Sequence, residues 1–173
     1  MITAKGSARA REKANRVAKQ VHVSLLKEER PIFIKASGAS MHPFIKDKDV
    51  LKIVPVRQED IRIGDLVAVD KRYGSKGWFC VHRVVRIIST KSEILYQTKG
   101  DSNTRLCDEP VDFKRIAGRV SEIKRRGLVI NMETPFWRNL NPRIAYFSLR
   151  FPAGLRRAAV GVDFIMRMRP KRT

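Results

Sequence analysis

Between residues 31 and 127 the chain is broken into short apolar runs: Ile32 to Ile34, Val50 to Val54, Leu66 to Val69, Trp78 to Ile88, Ile94 to Gln97 and Ile116 to Ile123. They are rich in Val and Ile, whose branched side chains suit a pleated surface, and most are too short for a stable helix. Gly64-Asp65, Tyr73-Gly74-Ser75-Lys76-Gly77 and Gly100-Asp101-Ser102-Asn103 stand between them, the residue types that supply left-handed backbone and local side-chain hydrogen bonds in turns. Such runs and turns predict a mainly β domain, chiefly antiparallel.

The flanks follow another period. In residues 1–30, Ala10, Ala14, Val17, Val21 and Leu25 fall at helical spacing between Arg11, Lys13, Arg16 and Lys19, which predicts a basic amphipathic helix with a thin apolar stripe. In residues 128–173, Leu155, Ala159, Val162 and Met166 fall at i, i+4, i+7 and i+11 among Arg156, Arg157, Arg167 and Arg169, and Pro142 and Pro152 are expected to divide this Arg-rich tail into two short helices. The segments 1–30, 31–127 and 128–173 carry +5, +8 and +7, a total of +20. A small soluble domain needs only about 2–8 charges, so a polyanionic partner is expected. A hydrophobic content of 43% argues against wholesale disorder.

Two cysteines, Cys80 and Cys107, make neither a disulfide framework nor a four-cysteine zinc site, and no metal or cofactor is expected. No stretch approaches the roughly 18 apolar residues that span a bilayer, and the N-terminus lacks the apolar core of a signal peptide. The expected setting is the cytoplasm, with peripheral attachment to the inner membrane face through the tail. There Pro135-Phe136-Trp137-Arg138 and Ile144-Ala145-Tyr146-Phe147 offer interfacial aromatics beside arginines that would meet anionic headgroups. The competing expectation is that the tail packs its stripe on the β domain. No RNA-binding aromatic motif or zinc-finger spacing supports specific nucleic-acid binding.

For chemistry, Ser37-Gly38-Ala39-Ser40-Met41-His42-Pro43 is a Gly- and Pro-flanked loop between two strand-like runs, where a backbone can expose a hydroxyl. Loop serines are usually turn formers, so a base is needed. Of His22, His42 and His82, only His82 lies within a long strand-like run, where period two puts Trp78, Cys80, His82 and Val84 on one face. Asp101 and Asp108 follow in and after the next turn.

Ser40-Met41-His42-Pro43, Val81-His82-Arg83-Val84, Thr98-Lys99-Gly100-Asp101-Ser102-Asn103 and Ile116-Ala117-Gly118-Arg119-Val120 together resemble the ordered boxes of the type I signal peptidase and LexA-like serine peptidase superfamily, over roughly residues 31 to 126. Histidine at the base position resembles the endoplasmic-reticulum type. The resemblance implies a signal-peptidase-like antiparallel β domain, Ser40 as nucleophile, His82 as general base, and Met41 and Pro43 beside a peptide or protein substrate. It further implies backbone at Ser40 and Gly38 as oxyanion donors, and an acid that orients the imidazole. Asp108 is slightly favoured for that acid, with Asp101 holding the loop. An unperturbed imidazole would lose activity as pH falls through about 6–7.

The chain departs from the family pattern at Lys48-Asp49, where Gly-Asp is expected, at Gly38, where many members place a hydroxyl, and in lacking an N-terminal membrane anchor. A specialised peptidase without that anchor is the expectation. Two alternatives remain. One is a LexA-like self-cleaving regulator, for which Ala117-Gly118 or Ala153-Gly154 would be the scissile pair; 30 preceding residues are too few for a three-helix DNA-binding unit. The other is a non-catalytic basic binder of membrane or nucleic acid.

Overall fold

The chain was analysed as a computed structural model that describes residues 17–70, 79–103, 107–151, 161 and 171–172. The apolar runs become β1 (Ile32–Lys35), β2 (Val50–Val54), β3 (Leu66–Asp70), β4 (Phe79–Ser89), β5 (Ile94–Lys99), β6 (Val111–Asp112) and β7 (Ile116–Arg125). They are followed by β8 (Leu128–Asn131), an α-helix at Pro135–Arg150 and β9 (Lys171–Arg172). A helix over residues 17–27, α1, precedes the strands, and Pro135–Arg150 is therefore α2. Neighbouring strands pair antiparallel in the order β1-β2-β7-β3-β4-β5-β6, with β8 beside β7 and β9 beside β8. The architecture is mainly β, an antiparallel curled sheet with two helices.

β3 shows why the sheet is covered on both faces. Successive side chains of a strand point to opposite sides. Leu66 and Ala68 enter a core with Leu51, Ile53, Val120, Ile123, Trp137 and Ile144, while Val67 and Val69 enter a second core with Ile61, Val84, Tyr96 and Val111. β4 alternates likewise: Phe79 and Val81 pack on the first core and Val84 lies in the second. His82 is thereby directed to the Val84 side of the sheet; Trp78 of the expected face lies outside the described residues.

The sheet does not stop at residue 127. Arg126 and Gly127 have φ of 47° and 79°, the backbone of a two-residue hairpin turn, and β8 returns along β7 in register Arg125↔Leu128 through Glu122↔Asn131. The expected boundary falls inside this hairpin.

Both helices differ from expectation. On α1 Val17 and Val21 are exposed, whereas Leu25 of the expected stripe packs half-buried on the first core; the inward side carries Leu26, with His22 and Ala18 half-buried one and two turns before it. Leu26 buries more apolar area than a valine, and Lys19 pairs with Asp70, which together fix the helix's rotation. Ala10 and Ala14 lie outside the described residues. Pro142 does not divide the tail: α2 runs through it, because buried Trp137 on one side and Ile144, Ala145 and Ser148 on the other offset the roughly 3 kcal/mol that an interior proline costs. Trp137 is 2% exposed, a core residue rather than an interfacial one. Pro152, Leu155, Ala159, Val162 and Met166 lie outside the described residues.

Candidate active site

Ser40 stands in the loop that joins β1 to β2. The loop is closed at its base by Ala36 N–H donating to Asp49 O (2.7 Å) and Lys48 N–H to Ala36 O (2.9 Å). Arg125 straps the far side, donating to Phe44 O (2.8 Å) and to the Asp49 carboxylate (2.7 Å). Met41, Pro43, Phe44 and Ile45 are buried beneath this loop and Ser40 is exposed at its surface. Met41 and Pro43 therefore anchor the loop from below. The His42–Pro43 peptide is cis.

Ser40 and His82 meet although 42 residues separate them. The Ser40 hydroxyl lies 3.2 Å from His82 Nε2, and His82 Nδ1 donates to Asp108 Oδ2 at 2.5 Å. Asp108 is held in place twice over: its N–H donates to Thr98 O (2.7 Å), and Thr98 Oγ1 donates to its Oδ2 (2.8 Å). β5 lies beside β4 with Val84↔Thr98 in register, so Thr98 and His82 belong to the same side of the sheet. Burial pulls the His82 pKa down, but hydrogen bonding to Asp108 and Cys80, with the electrostatic influence of both, outweighs it and pushes the pKa up to about 9.

Asp101 does something else. Both its oxygens are taken by Arg83, Nε to Oδ1 and Nη2 to Oδ2, each at 2.8 Å, and the pair is almost wholly buried. Arg83 Nη1 also donates to Gly64 O and to Asn141 Oδ1 of α2, both at 2.9 Å, and its guanidinium stacks 5.0 Å from the Phe44 ring centroid. Asp101 is thus the buried counter-ion of Arg83, and Asp108 is the acid on the imidazole. The turn that Asp101 fixes grips the serine loop: Ser102 N–H and Ser102 Oγ donate to Ser40 O at 2.9 and 3.0 Å. Gly100 approaches so closely that a Cβ there would sit 2.7 Å from Ser40 O.

Comparison of the chain with family models, with curated proteins and with solved structures found no match. What the site can do is read from its own atoms. A hydroxyl, an imidazole and a carboxylate joined in line are the parts of a nucleophile, its base and the group that orients the base. Gly38, with φ of 95°, spends its N–H on Asp47 Oδ1 (3.3 Å), which removes it as an oxyanion donor. The Ser40 N–H makes no hydrogen bond among the described residues. Among the described residues no group of three or more His, Cys, Asp or Glu could hold a metal ion.

Sequence reasoning missed Thr98, Ser102, Gly64 and Asn141 as parts of this arrangement. Thr98 and Ser102 lie within a box already singled out, and the alternation that ends β5 could have put Thr98 beside His82. Asn141 carries no local signal, since its partner Arg83 is 58 residues away. Lys99 is buried beside Asp101 and Arg83 with no hydrogen-bond partner for Nζ among the described residues, and burial lowers its pKa.

Proposed function

We propose that the chain is a serine peptidase of the signal-peptidase-like type. The observation that carries the reading is the unbroken hydrogen-bonded line Ser40–His82–Asp108, assembled from three separate elements. Ser40 Oγ attacks the substrate carbonyl carbon as His82 Nε2 takes its proton, and Asp108 stabilises the imidazolium so formed. The imidazolium returns the proton to the leaving amine, giving an ester on Ser40. Water, deprotonated by the same imidazole, then attacks the ester, and the imidazolium gives the proton to the departing Ser40 Oγ as the acid is released. The Ser40 N–H is the oxyanion donor in this scheme. The resemblance to the signal-peptidase superfamily suggests small residues before the scissile bond of a peptide or protein precursor.

Self-cleavage fits poorly. Gly118 is buried within β7, where a Cβ would lie 2.5 Å from Val54 O, so Ala117-Gly118 would have to leave the middle of the sheet to be cut. Ala153-Gly154 lies outside the described residues.

The test is hydrolysis of a mixed peptide library by the Asp108→Asn and Asp101→Asn variants. Asp108→Asn should lose about 10⁴-fold in rate. Asp101→Asn should melt markedly lower, because breaking one partner of a buried ion pair costs about 3–5 kcal/mol. A fully active Asp108→Asn variant would overturn the assignment of the acid.

A further inference from the structure

Asp108 is aimed at the imidazole by a strand it does not belong to. Residues 107–110 form neither helix nor strand, so the carboxylate is not placed by a ladder of its own. β5 supplies the grip. Thr98 O takes the Asp108 N–H (2.7 Å), Gln97 Nε2 donates to Asp108 O (3.3 Å), and Thr98 Oγ1 donates to Asp108 Oδ2 (2.8 Å). Thr98 is 1% exposed and branched at Cβ, so its hydroxyl is held in one direction and screened from water.

The oxygen that Thr98 reaches is the one that also accepts His82 Nδ1 at 2.5 Å. A carboxylate oxygen has two lone pairs to offer. With one taken by His82 Nδ1–H and the other by the Thr98 hydroxyl, Oδ2 has no place for a proton of its own. The proton between Asp108 and His82 therefore stays on Nδ1, and the neutral ring keeps its lone pair on Nε2, 3.2 Å from the Ser40 hydroxyl. A carboxylate released by Thr98 would turn away from Nδ1 and leave the ring free to adopt the Nε2–H form, which cannot accept from Ser40. The titratable side chains that act on the ring are Asp108 and, from β4 itself, Cys80. Facing His82 across the ladder, β3 places the uncharged Val67. We infer that Thr98 is a positioning residue of this site: its hydroxyl holds Asp108 Oδ2 on Nδ1 and so selects the imidazole tautomer that can take the Ser40 proton. Its effect on rate rests on the peptidase reading; its effect on the ring does not.

The test reads both effects. In the full chain carrying isotope-labelled histidine, the ring nitrogens of His82, assigned by their absence from a His82→Gln variant, are titrated by NMR alongside hydrolysis of the mixed peptide library. In the parent the neutral ring should be the Nδ1–H form and the titration should centre near 9. Thr98→Val keeps the shape of the side chain and removes the hydroxyl. Its midpoint should fall by at least about one pH unit towards the ordinary 6.5, with the Nε2–H form appearing. Its kcat should drop about tenfold with KM nearly unchanged. Thr98→Ala, a second variant without the hydroxyl, should shift the ring in the same direction, and Thr98→Ser, which restores it, should titrate as the parent does. In an Asp108→Asn background Thr98→Val should add nothing to the shift or the loss, because the threonine acts through that carboxylate. A Thr98→Val ring with the parent's midpoint and tautomer would overturn the inference. So would a Thr98→Ser variant as disturbed as Thr98→Val, which would assign the effect to packing. Absence of cleavage by the parent would strike the peptidase reading, and the ring titration alone would then uphold or overturn the role of Thr98.

Discussion

His82 sits between a carboxylate and a hydroxyl, and the pH at which it gives up its proton sets when Ser40 can be activated. With the pKa pushed up to about 9, only about one imidazole in a hundred is neutral at pH 7. Activity should therefore rise with pH along a limb centred near 9, well above the 6–7 of an unperturbed histidine. Replacing Asp108 by Asn should bring that limb down towards the ordinary range while lowering the maximum rate; pH–rate profiles of the two proteins check this. The same shift couples to folding. Its stabilisation is complete below about pH 6.5, where the unfolded histidine is also protonated, and is lost as pH rises through about 9, on the order of 3 kcal/mol in all. At this scale the sequence singled out Ser40 and His82, which the fold brings together, only through the order of its boxes, since a loop serine alone is usually a turn former. It could not separate Asp101 from Asp108, since both are acidic residues in or near one turn. What separates them is tertiary: Arg83 claims Asp101, and the Asp108 N–H to Thr98 O bond turns Asp108 towards His82.

The serine loop is positioned by the Gly100–Ser102 turn and by Arg125, as well as by the contact with His82. Gly100→Ala would force a methyl to 2.7 Å from Ser40 O, displacing the nucleophile, and the rate should fall by about 10²-fold, the penalty typical of an ångström-scale misplacement, with a smaller change in melting temperature. Lys48 closes the same loop with φ of 70°, a left-handed backbone that glycine adopts freely. Lys48→Gly should stabilise by up to about 1 kcal/mol, because an L-residue is strained there; urea denaturation measures it. The strands were legible in the sequence because alternation and turn residues are local signals, and β1 to β5 and β7 lie within about two residues of the runs that announced them. β8 was not foreseen, although Arg126-Gly127 followed by Leu128-Val129-Ile130 carries a hairpin signature. The rotation of α1 and the passage of α2 through Pro142 are decided by what each helix packs against, which no local pattern encodes.

Across the molecule, one buried cation joins the pieces. Arg83 links Asp101 of the turn under Ser40, Gly64 before β3 and Asn141 of α2, so the tail is structurally part of the site it follows. Gly64 allows this by contact of backbone on backbone: with φ of 97°, it has the space of its missing Cβ filled by the Asn141 carbonyl carbon at 2.4 Å. The central claim is that Ser40 is the nucleophile of a peptidase. The most direct measurement incubates the full chain and its Ser40→Ala variant with a mixed peptide library at pH 9 and reads new termini by mass spectrometry. The account predicts cleavage by the parent and a loss of about 10⁴-fold or more in the variant, with unchanged folding because the exposed hydroxyl packs against little. Cleavage at the parent rate by Ser40→Ala, or no cleavage by the parent, would contradict it.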